Sequence, residues 1–146
     1  MSRIRVFLDS NVLASYFLGE PETKRLFDRD VTKRVQYIIS PLVLQELLLM
    51  SDELAKKENG QQIGKLSSKY LTVKELDEDT ITASIERIKL LRNTLMHAND
   101  LLNIEVAATT ADFFVTKDKD LLSLKHVDSV EVITPARFFD LLRKAA

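Results

Sequence analysis

The sequence predicts a single-domain α/β fold, a three-layer α/β/α sandwich with a central parallel sheet of about five strands. Short strand-like apolar runs alternate with helical segments along the whole chain, which is the pattern of a parallel sheet covered on both faces. The 146 residues suit one domain, and no repeat, linker or low-complexity segment divides them. Apolar residues make up 45% and charged residues 29%, as in an ordinary globular protein. We therefore expect one domain over residues 1–146.

The first strand and the first helix follow each other directly. Residues 4–8 form a short run of β-branched and aromatic side chains, which predicts a strand buried on both faces. Ser10 or Asn11 is suited to cap the next segment, whose apolar residues have helical spacing. Gly19 is expected to end that helix, because glycine readily adopts the backbone conformation that follows a helix.

The second strand lies between two further helical segments. Pro21 suits the first turn of a helical segment that is expected to reach about residue 33. Residues 35–39 are predicted to form the strand. The pair Ser40-Pro41 is a strong helix start, and this helix is expected to reach about residue 58, where Asn59-Gly60 would stop it.

The middle of the chain gives weaker signals. Residues 60–69 are polar and their structure is ambiguous, whereas residues 71–76 are predicted to form a third strand. Asp77 or Asp79 can cap the helix that follows. Its apolar residues form one clear face, as in a helix that packs on a core: Ile81, Ile85, Ile88, Leu91 and Leu95.

The last third of the chain continues the alternation. Asn99 or Asp100 is expected to start a helix that runs to residue 110. Strands are predicted at residues 113–116 and 130–133, with a short helix at about 118–124 between them. Pro135 opens the last helix, whose apolar positions are Phe138, Phe139, Leu141 and Leu142.

Charge and residue usage exclude several classes of function. The chain has 21 Lys and Arg against 22 Asp and Glu, a net charge of −1, so a whole-molecule basic field for nucleic acid is absent. With no cysteine and only two histidines, far apart in sequence, the chain has no disulfide, no thiolate catalyst and no cysteine zinc site. No apolar run approaches the ~20 residues of a membrane span, and the first residues do not read as a signal peptide. We expect a cytoplasmic protein without a membrane partner.

Four acidic residues are predicted to meet at one edge of the sheet. In parallel sheets, ligands bind just beyond the carboxyl ends of the strands. Asp9 follows the first strand directly, and Asp118 follows the 113–116 strand. Glu46 lies in the first turns of the helix after the second strand, and Asp100 starts the helix that leads into the 113–116 strand. The topology therefore brings four carboxylates from four segments to the same edge.

Each of these residues also has a purely structural interpretation. Asp9 and Asp100 could only cap helices, Asp118 could be a turn residue, and Glu46 could point to solvent. Four clustered acids would repel one another, at about 4 kcal/mol for a pair 4 Å apart with an effective dielectric constant of about 20. Such a cluster persists with a bound cation, by proton uptake, or by turning toward water. An all-oxygen cluster suits Mg²⁺ or Mn²⁺, which can activate water for phosphoryl chemistry.

The chain resembles the PIN domain family, metal-dependent ribonucleases that include the VapC-type toxins. The resemblance rests on four blocks that occur in order over nearly the whole chain: FLDSNVLASYFLGEP, SPLVLQELLL, NDLLNIEVAATTADFFVTKDKDL and VITPARFFDLL. The eighteen-residue spacing of Asp100 and Asp118 is also as expected for that family. Each block is weak alone, but the ordered set of four is quite specific.

The resemblance implies roles for particular residues. It makes Asp9, Glu46, Asp100 and Asp118 the catalytic, metal-binding acids, with Mg²⁺ or Mn²⁺ as the cofactor. Asn11 and Thr116 match polar positions that assist these acids. Asp120 competes with Asp118 for the fourth position, and we prefer Asp118 because it lies closer to the strand end. Glu105 lies about 140° around the helix from Asp100 and is expected to face elsewhere.

Other polar side chains have weaker signals. His97 precedes the Asp100 helix and could contact RNA, although a surface loop histidine is the simpler interpretation. His126 is expected to be structural. Lys117, Lys119 and Arg92 could meet phosphates near the acids or only solubilise the surface.

The predicted function is a divalent-metal-dependent endoribonuclease that hydrolyses RNA phosphodiester bonds, in the manner of a VapC-type toxin. An antitoxin partner and a homodimer follow from the resemblance alone. The first alternative is a PIN nuclease of RNA processing or decay without a dedicated antitoxin. The second is a non-catalytic module that binds RNA or protein. The opening Asp9-Ser10-Asn11 lacks the second Asp of an aspartyl phosphatase, and there is no GxGxxG loop for a dinucleotide.

Overall fold

The computed structural model describes residues 3–55, 60–75, 77–91 and 98–145. Within these residues the chain forms a six-stranded sheet. The strands are β1 Ile4–Leu8, β2 Val35–Ile39, β3 Leu71–Val73, β4 Phe113–Val115, β5 His126–Val127 and β6 Val130–Ile133.

Eight α-helices of the described residues connect and cover the strands. They are α1 Ser10–Phe17, α2 Arg29–Thr32, α3 Pro41–Ala55, α4 Gly60–Tyr70, α5 Glu78–Leu91, α6 Ala98–Thr110, α7 Lys119–Leu122 and α8 Pro135–Lys144. None of the described helices has both the length and the apolar character of a membrane span.

The sheet has the strand order β3-β2-β1-β4-β6-β5. The first five strands in this order are parallel, and β5 pairs antiparallel with β6 at the edge. Phe7 of β1 pairs with Ile38 on one side and with Phe114 on the other. The predicted α/β fold is thus confirmed. The structure adds β5 as a sixth strand, which has only two residues and no apolar run that could have predicted it.

The core lies on both faces of β1. Val6, Phe7 and Leu8 are all fully buried, although consecutive strand residues point to opposite faces. Helices must therefore cover both faces, as the continuous apolar run predicted. The rings of Phe7 and Phe114 stack with their centroids 5.0 Å apart, which ties the two central strands together.

Two predicted helical segments differ from the observed ones. Residues 21–33 do not form one helix, but a 3-10 turn at Pro21–Thr23 and the short α2. Buried Thr23 meets Ser15 of α1 at 3.0 Å between hydroxyl oxygens, and this contact holds the turn against α1. Gly60 begins α4 instead of ending α3, because α4 packs against α3 and buries Ile63. Asn59, the other half of the expected stop, lies outside the described residues.

Two of the five residues of the predicted apolar face of α5 are exposed. Ile81 and Ile85 are 50% and 54% exposed, whereas Thr80 and Ser84 are buried. Helix α5 packs on α6, and the Ser84 hydroxyl donates to the Thr80 carbonyl at 2.8 Å, so this buried hydroxyl is satisfied within its own helix. The side chains of residues 88 and 91, and the whole of residue 95, lie outside the described part of the chain.

Candidate metal centre

Asp9 is the most deeply buried acid at the carboxyl end of the sheet. It directly follows β1 and is only 5% exposed. Its Oδ1 accepts a 2.8 Å hydrogen bond from the Ser10 backbone N–H, and its Oδ2 accepts a 2.8 Å bond from the Thr116 hydroxyl. The backbone of Asp9 is extended and its side chain caps α1, so the expected cap at Ser10 or Asn11 is wrong by one or two residues.

The environment of Asp9 raises its pKa from 3.8 to about 6. Burial is the largest cause, because a carboxylate loses hydration when it is removed from water. The bonds from Thr116 and Ser10 lower the pKa, whereas the negative charges of Asp100 and Glu46 raise it further. Glu46 and Asp100 therefore both lie within electrostatic reach of Asp9.

Glu46 comes to this edge through α3. The helix begins after Ser40, whose hydroxyl accepts a 3.2 Å bond from the Val43 backbone N–H. Glu46 is half-buried, and its Oε2 accepts a 2.7 Å hydrogen bond from the Ser10 hydroxyl. Ser10 follows Asp9 in the chain, so this bond brings the α3 carboxylate to the end of β1.

The two remaining acids, Asp100 and Asp118, lie at the starts of α6 and α7. Asp100 is half-buried in the first turn of α6. Asp118 caps α7, and its Oδ1 accepts from the backbone N–H groups of Asp120 at 2.8 Å and Leu121 at 3.4 Å. The Asp118 backbone N–H donates to the Thr116 hydroxyl at 3.0 Å. Asp120 is exposed and lies in the first turn of α7.

Asn11 and Thr116 connect Asp9 to the end of β4. The Asn11 amide lies 3.3 Å from Oδ2 of Asp9 and 3.4 Å from the Thr116 hydroxyl. Its Oδ1 accepts a 3.1 Å bond from the Lys117 backbone N–H. Thr116 is fully buried and touches both Asp9 and Asp118 through its hydroxyl. This network fixes the orientation of the Asp9 carboxylate.

The donor set suits a hydrated hard cation. Within residues 3–55, 60–75, 77–91 and 98–145, no three acidic or histidine side chains lie close enough to hold one ion together. Mg²⁺ does not need such a cage, since it commonly binds through one or two carboxylates and keeps several waters. The buried Asp9, with two further carboxylates acting on it, fits binding of that kind. Carboxylate and hydroxyl oxygens are also the ligand types that Mg²⁺ and Mn²⁺ favour.

Several other side chains have partners away from these acids. Lys117 is paired with Glu20 at 3.0 Å and with Glu22 at 2.5 Å, which raises the pKa of its ammonium group, so its charge is already neutralised. Glu105 is buried and paired with Arg87 of α5, which confirms that it faces elsewhere.

Two of the remaining basic candidates lie in the described part of the chain. His126 lies exposed in β5, and Lys119 is exposed in the first turn of α7. His97 and Arg92 lie outside the described residues.

Two hydroxyl contacts of this region were not foreseen from the sequence. Ser10 contacts Glu46, and Ser40 contacts Asn103 on α6 at 2.5 Å. The only signal in the sequence is the position of each serine, directly after an acid or a strand. Neither partner could be identified without the tertiary structure.

The comparisons with known proteins agree with this fold. The model of the PIN domain family matches residues 5–120. No curated protein matches the chain significantly. Among solved structures, VapBC2 from Rickettsia felis, bound to a DNA fragment from its promoter, has a TM-score of 0.71 and 19% identity, over 90% of this chain and 98% of that one.

Two further structures extend the likeness. DNA-bound VapBC from Salmonella typhimurium has a TM-score of 0.69 and 20% identity, over 90% of this chain and 98% of that one. The Mycobacterium tuberculosis toxin VapC20, described as cleaving the sarcin-ricin loop, has a TM-score of 0.64 and 15% identity, over 84% of this chain and 97% of that one. At these identities the likeness is one of fold.

Proposed function

The chain belongs to the PIN domain family, and we propose that it is a divalent-metal-dependent endoribonuclease that hydrolyses RNA phosphodiester bonds. The observation that carries the proposal is the carboxylate of Asp9, which is buried, oriented by Thr116 and Ser10, and subject to the charges of Glu46 and Asp100. A buried carboxylate under negative charge is costly unless a proton or a cation accompanies it. The edge of the sheet is also where α/β proteins bind their ligands.

In this proposal each acid has a defined task. A bound Mg²⁺ or Mn²⁺ ion supplies an activated water and neutralises charge on the phosphoryl group. Asp9 holds the ion, with its carboxylate kept in place by Thr116, Asn11 and the Ser10 N–H. Glu46, Asp100 and Asp118 bind the ion or its waters. In the overall reaction a water oxygen bonds to phosphorus, one phosphorus–oxygen bond breaks, and the leaving oxygen takes a proton.

The test is cleavage of a fluorogenic single-stranded RNA by the purified protein. We expect cleavage with Mn²⁺ or Mg²⁺, none with excess EDTA, and recovery when Mn²⁺ is added back. Asp9→Asn should abolish cleavage, whereas Asp112→Asn, at the exposed Arg5 pair beyond the other end of β4, should cleave normally. Cleavage that survives complete chelation, or full activity of Asp9→Asn, would contradict the proposal.

A role as the toxin of a toxin–antitoxin pair is the proposed biological setting. It is supported by the three similar structures, two of which are VapBC complexes and one of which is a toxin. We expect the chain to arrest growth when expressed alone in the cytoplasm of a bacterial host, and Asp9→Asn not to do so. A neighbouring gene product that relieves the arrest and co-purifies with the chain would be the antitoxin.

A homodimer is the proposed assembly, and exposed apolar side chains of α3 and α5 support it. Leu48 and Leu49 of α3 are largely exposed, as are Ile81 and Ile85 of α5. Apolar residues in this number on two helices are suited to contact a second copy. Sedimentation at micromolar concentration should give the mass of two chains, and Leu49→Lys should give the mass of one.

The alternatives make different predictions in the same assays. A nuclease of RNA processing would cleave RNA but would not be relieved by any neighbouring gene product. A non-catalytic module would bind RNA without cleavage and without a divalent ion at the sheet edge. The intact set of Asp9, Glu46, Asp100 and Asp118 favours the nuclease.

A further inference from the structure

We propose that Ser40 and Asn103 are positioning residues, whose buried hydrogen bond fixes the helix that carries Glu46 against the helix that carries Asp100. The Ser40 hydroxyl donates to Oδ1 of Asn103 at 2.5 Å, sixty-three residues along the chain. Neither side chain is more than 1% exposed. The inference rests on the proposed function, because the spacing of these two acids matters most if they bind one hydrated ion.

Ser40 is itself held at the start of α3. Its oxygen accepts a 3.2 Å bond from the Val43 backbone N–H while its hydrogen is donated to Asn103. One hydroxyl therefore both caps α3 and reaches α6. Any movement of α3 relative to α6 must stretch this bond or break it.

The bond joins the two helices that carry the acids. Asn103 is three residues after Asp100, so the two side chains are neighbours on the same side of α6. Glu46 lies six residues beyond Ser40, in the second turn of α3, and the two helices pack together. A shift of one helix along the other would therefore change the separation of Glu46 and Asp100 directly.

The apolar surroundings of the Ser40–Asn103 bond favour one position of α3 relative to α6. The nearest turns of both helices present buried apolar residues, including Val43, Leu47, Leu101 and Ile104. Apolar contacts are non-directional, whereas a buried hydroxyl without its partner loses a hydrogen bond that water cannot replace. Mg²⁺ needs near-ideal octahedral geometry with oxygens at about 2.0–2.1 Å, so small shifts of its ligands weaken binding.

The test compares Mn²⁺ dissociation constants of four variants, measured on folded protein by electron paramagnetic resonance. Asn103→Leu removes the acceptor and leaves the Val43–Ser40 cap intact, whereas Ser40→Ala removes both contacts. Each should weaken Mn²⁺ binding about tenfold, the lower end of the usual effect for groups that support metal ligands. The double variant should be no weaker than the weaker single variant, since both remove the same bond.

The control is Ser84→Ala, which removes a buried hydroxyl that bonds only within α5. It should lower stability without changing the Mn²⁺ dissociation constant. Unchanged Mn²⁺ binding in both single variants, or additive losses in the double variant, would overturn the positioning role. If Asn103→Leu does not fold, Asn103→Ala takes its place.

A second readout separates this inference from the proposed function. If the native chain binds no Mn²⁺, the metal proposal fails, and the amide chemical shift of Glu46, on the helix opposite the substitution, then decides the positioning role. This shift should change in Asn103→Leu and stay unchanged in Ser84→Ala. An unchanged Glu46 shift in Asn103→Leu would reject the inference.

Discussion

The Ser10 hydroxyl donates a 2.7 Å hydrogen bond to Oε2 of Glu46, while its backbone N–H donates to Oδ1 of Asp9 at 2.8 Å. One residue thus bonds two acids that are thirty-seven positions apart in sequence. The hydrogen bond to Asp9 comes from the backbone and is independent of the side chain. The hydrogen bond to Glu46 depends on the hydroxyl. Replacing Ser10 by alanine therefore removes the bond to Glu46 and keeps the bond to Asp9.

Ser10→Ala should weaken metal-dependent cleavage about tenfold, as expected when a group that orients a metal ligand is lost. Its stability should fall by only about 1 kcal/mol, because the Asp9 bond to the backbone remains. The measurements are cleavage rates at several Mn²⁺ concentrations and urea unfolding. Ser123→Ala, which removes an exposed hydroxyl on the Asp120 carbonyl, is the matched control and should cleave normally.

Asp9→Asn should be more stable than the native chain in EDTA at pH 7.5. The native carboxylate is ionised there although its pKa is raised from 3.8 to about 6, and that shift corresponds to about 3 kcal/mol against folding. Asparagine caps a helix about as well as aspartate, so a role in capping alone predicts no change. Urea unfolding with and without Mg²⁺ measures the difference, and Mg²⁺ should stabilise only the native chain.

The stability difference between these two proteins should depend on pH. Between pH 4 and pH 6 the folded chain binds a proton at Asp9 that the unfolded chain has already released, so native stability falls as the pH rises. The gain in the free energy of unfolding of Asp9→Asn over the native chain should therefore be largest above about pH 6 and vanish near pH 4. Mn²⁺ affinity of the native chain should fall below pH 6, because the ion then competes with the proton. A constant difference across this range would show that Asp9 titrates normally.

Asp118→Asn and Asp120→Asn should separate the two acids of the TKDKD segment. Asparagine at position 118 keeps an oxygen for the N–H groups of Asp120 and Leu121, so α7 should be retained. Cleavage should fall by about 100-fold in Asp118→Asn, at the upper end of losses at metal-supporting residues, and stay normal in Asp120→Asn. The opposite result would assign the fourth acid to Asp120.

Arg87→Met should destabilise the fold by about 3–5 kcal/mol, because it leaves the buried Glu105 carboxylate without its cation. Adding Glu105→Gln should restore much of that stability. Arg5→Met, at an exposed pair with Asp112, should cost less than about 1 kcal/mol. Thermal unfolding of the four proteins checks these values, and an equal loss for Arg87 and Arg5 would contradict the argument.

The central strands could be predicted from the sequence because their apolar runs are short and bounded by turn or cap residues. In a strand, three consecutive residues such as Val6 to Leu8 can all be buried only if both faces of the sheet are covered, and the short length of the run with its β-branched and aromatic residues favours a strand over a buried helix. Strand direction also predicts that Asp9 and Asp118 lie at the same edge of the sheet, whereas the assisting role of Thr116 is implied only by the family resemblance. In the structure the Thr116 hydroxyl contacts both residues.

The helices were harder to predict, because their buried faces depend on neighbours far away in sequence. The α5 pattern placed Ile81 and Ile85 on the packed face, but these two side chains are exposed, and the smaller Thr80 and Ser84 are buried instead. Gly60 lies in α4 because that helix packs on α3. This tertiary contact outweighs the local preference of glycine for the end of a helix. Hydroxyl contacts such as that of Ser10 with Glu46 need both helices in place and leave no local signal.

The position of β4 in the sheet bears on when the protein can first act. Strand β4 lies between β1 and β6, and it brings Thr116 and Asp118 to the acid edge. During translation at about 5–20 residues per second, Asp118 is added roughly 5 to 20 seconds after Asp9. Under the proposed function, a nascent chain that lacks β4 has an incomplete set of acids throughout that interval. Under that function, we expect no cleavage of RNA by the growing chain until nearly the whole domain has been synthesised.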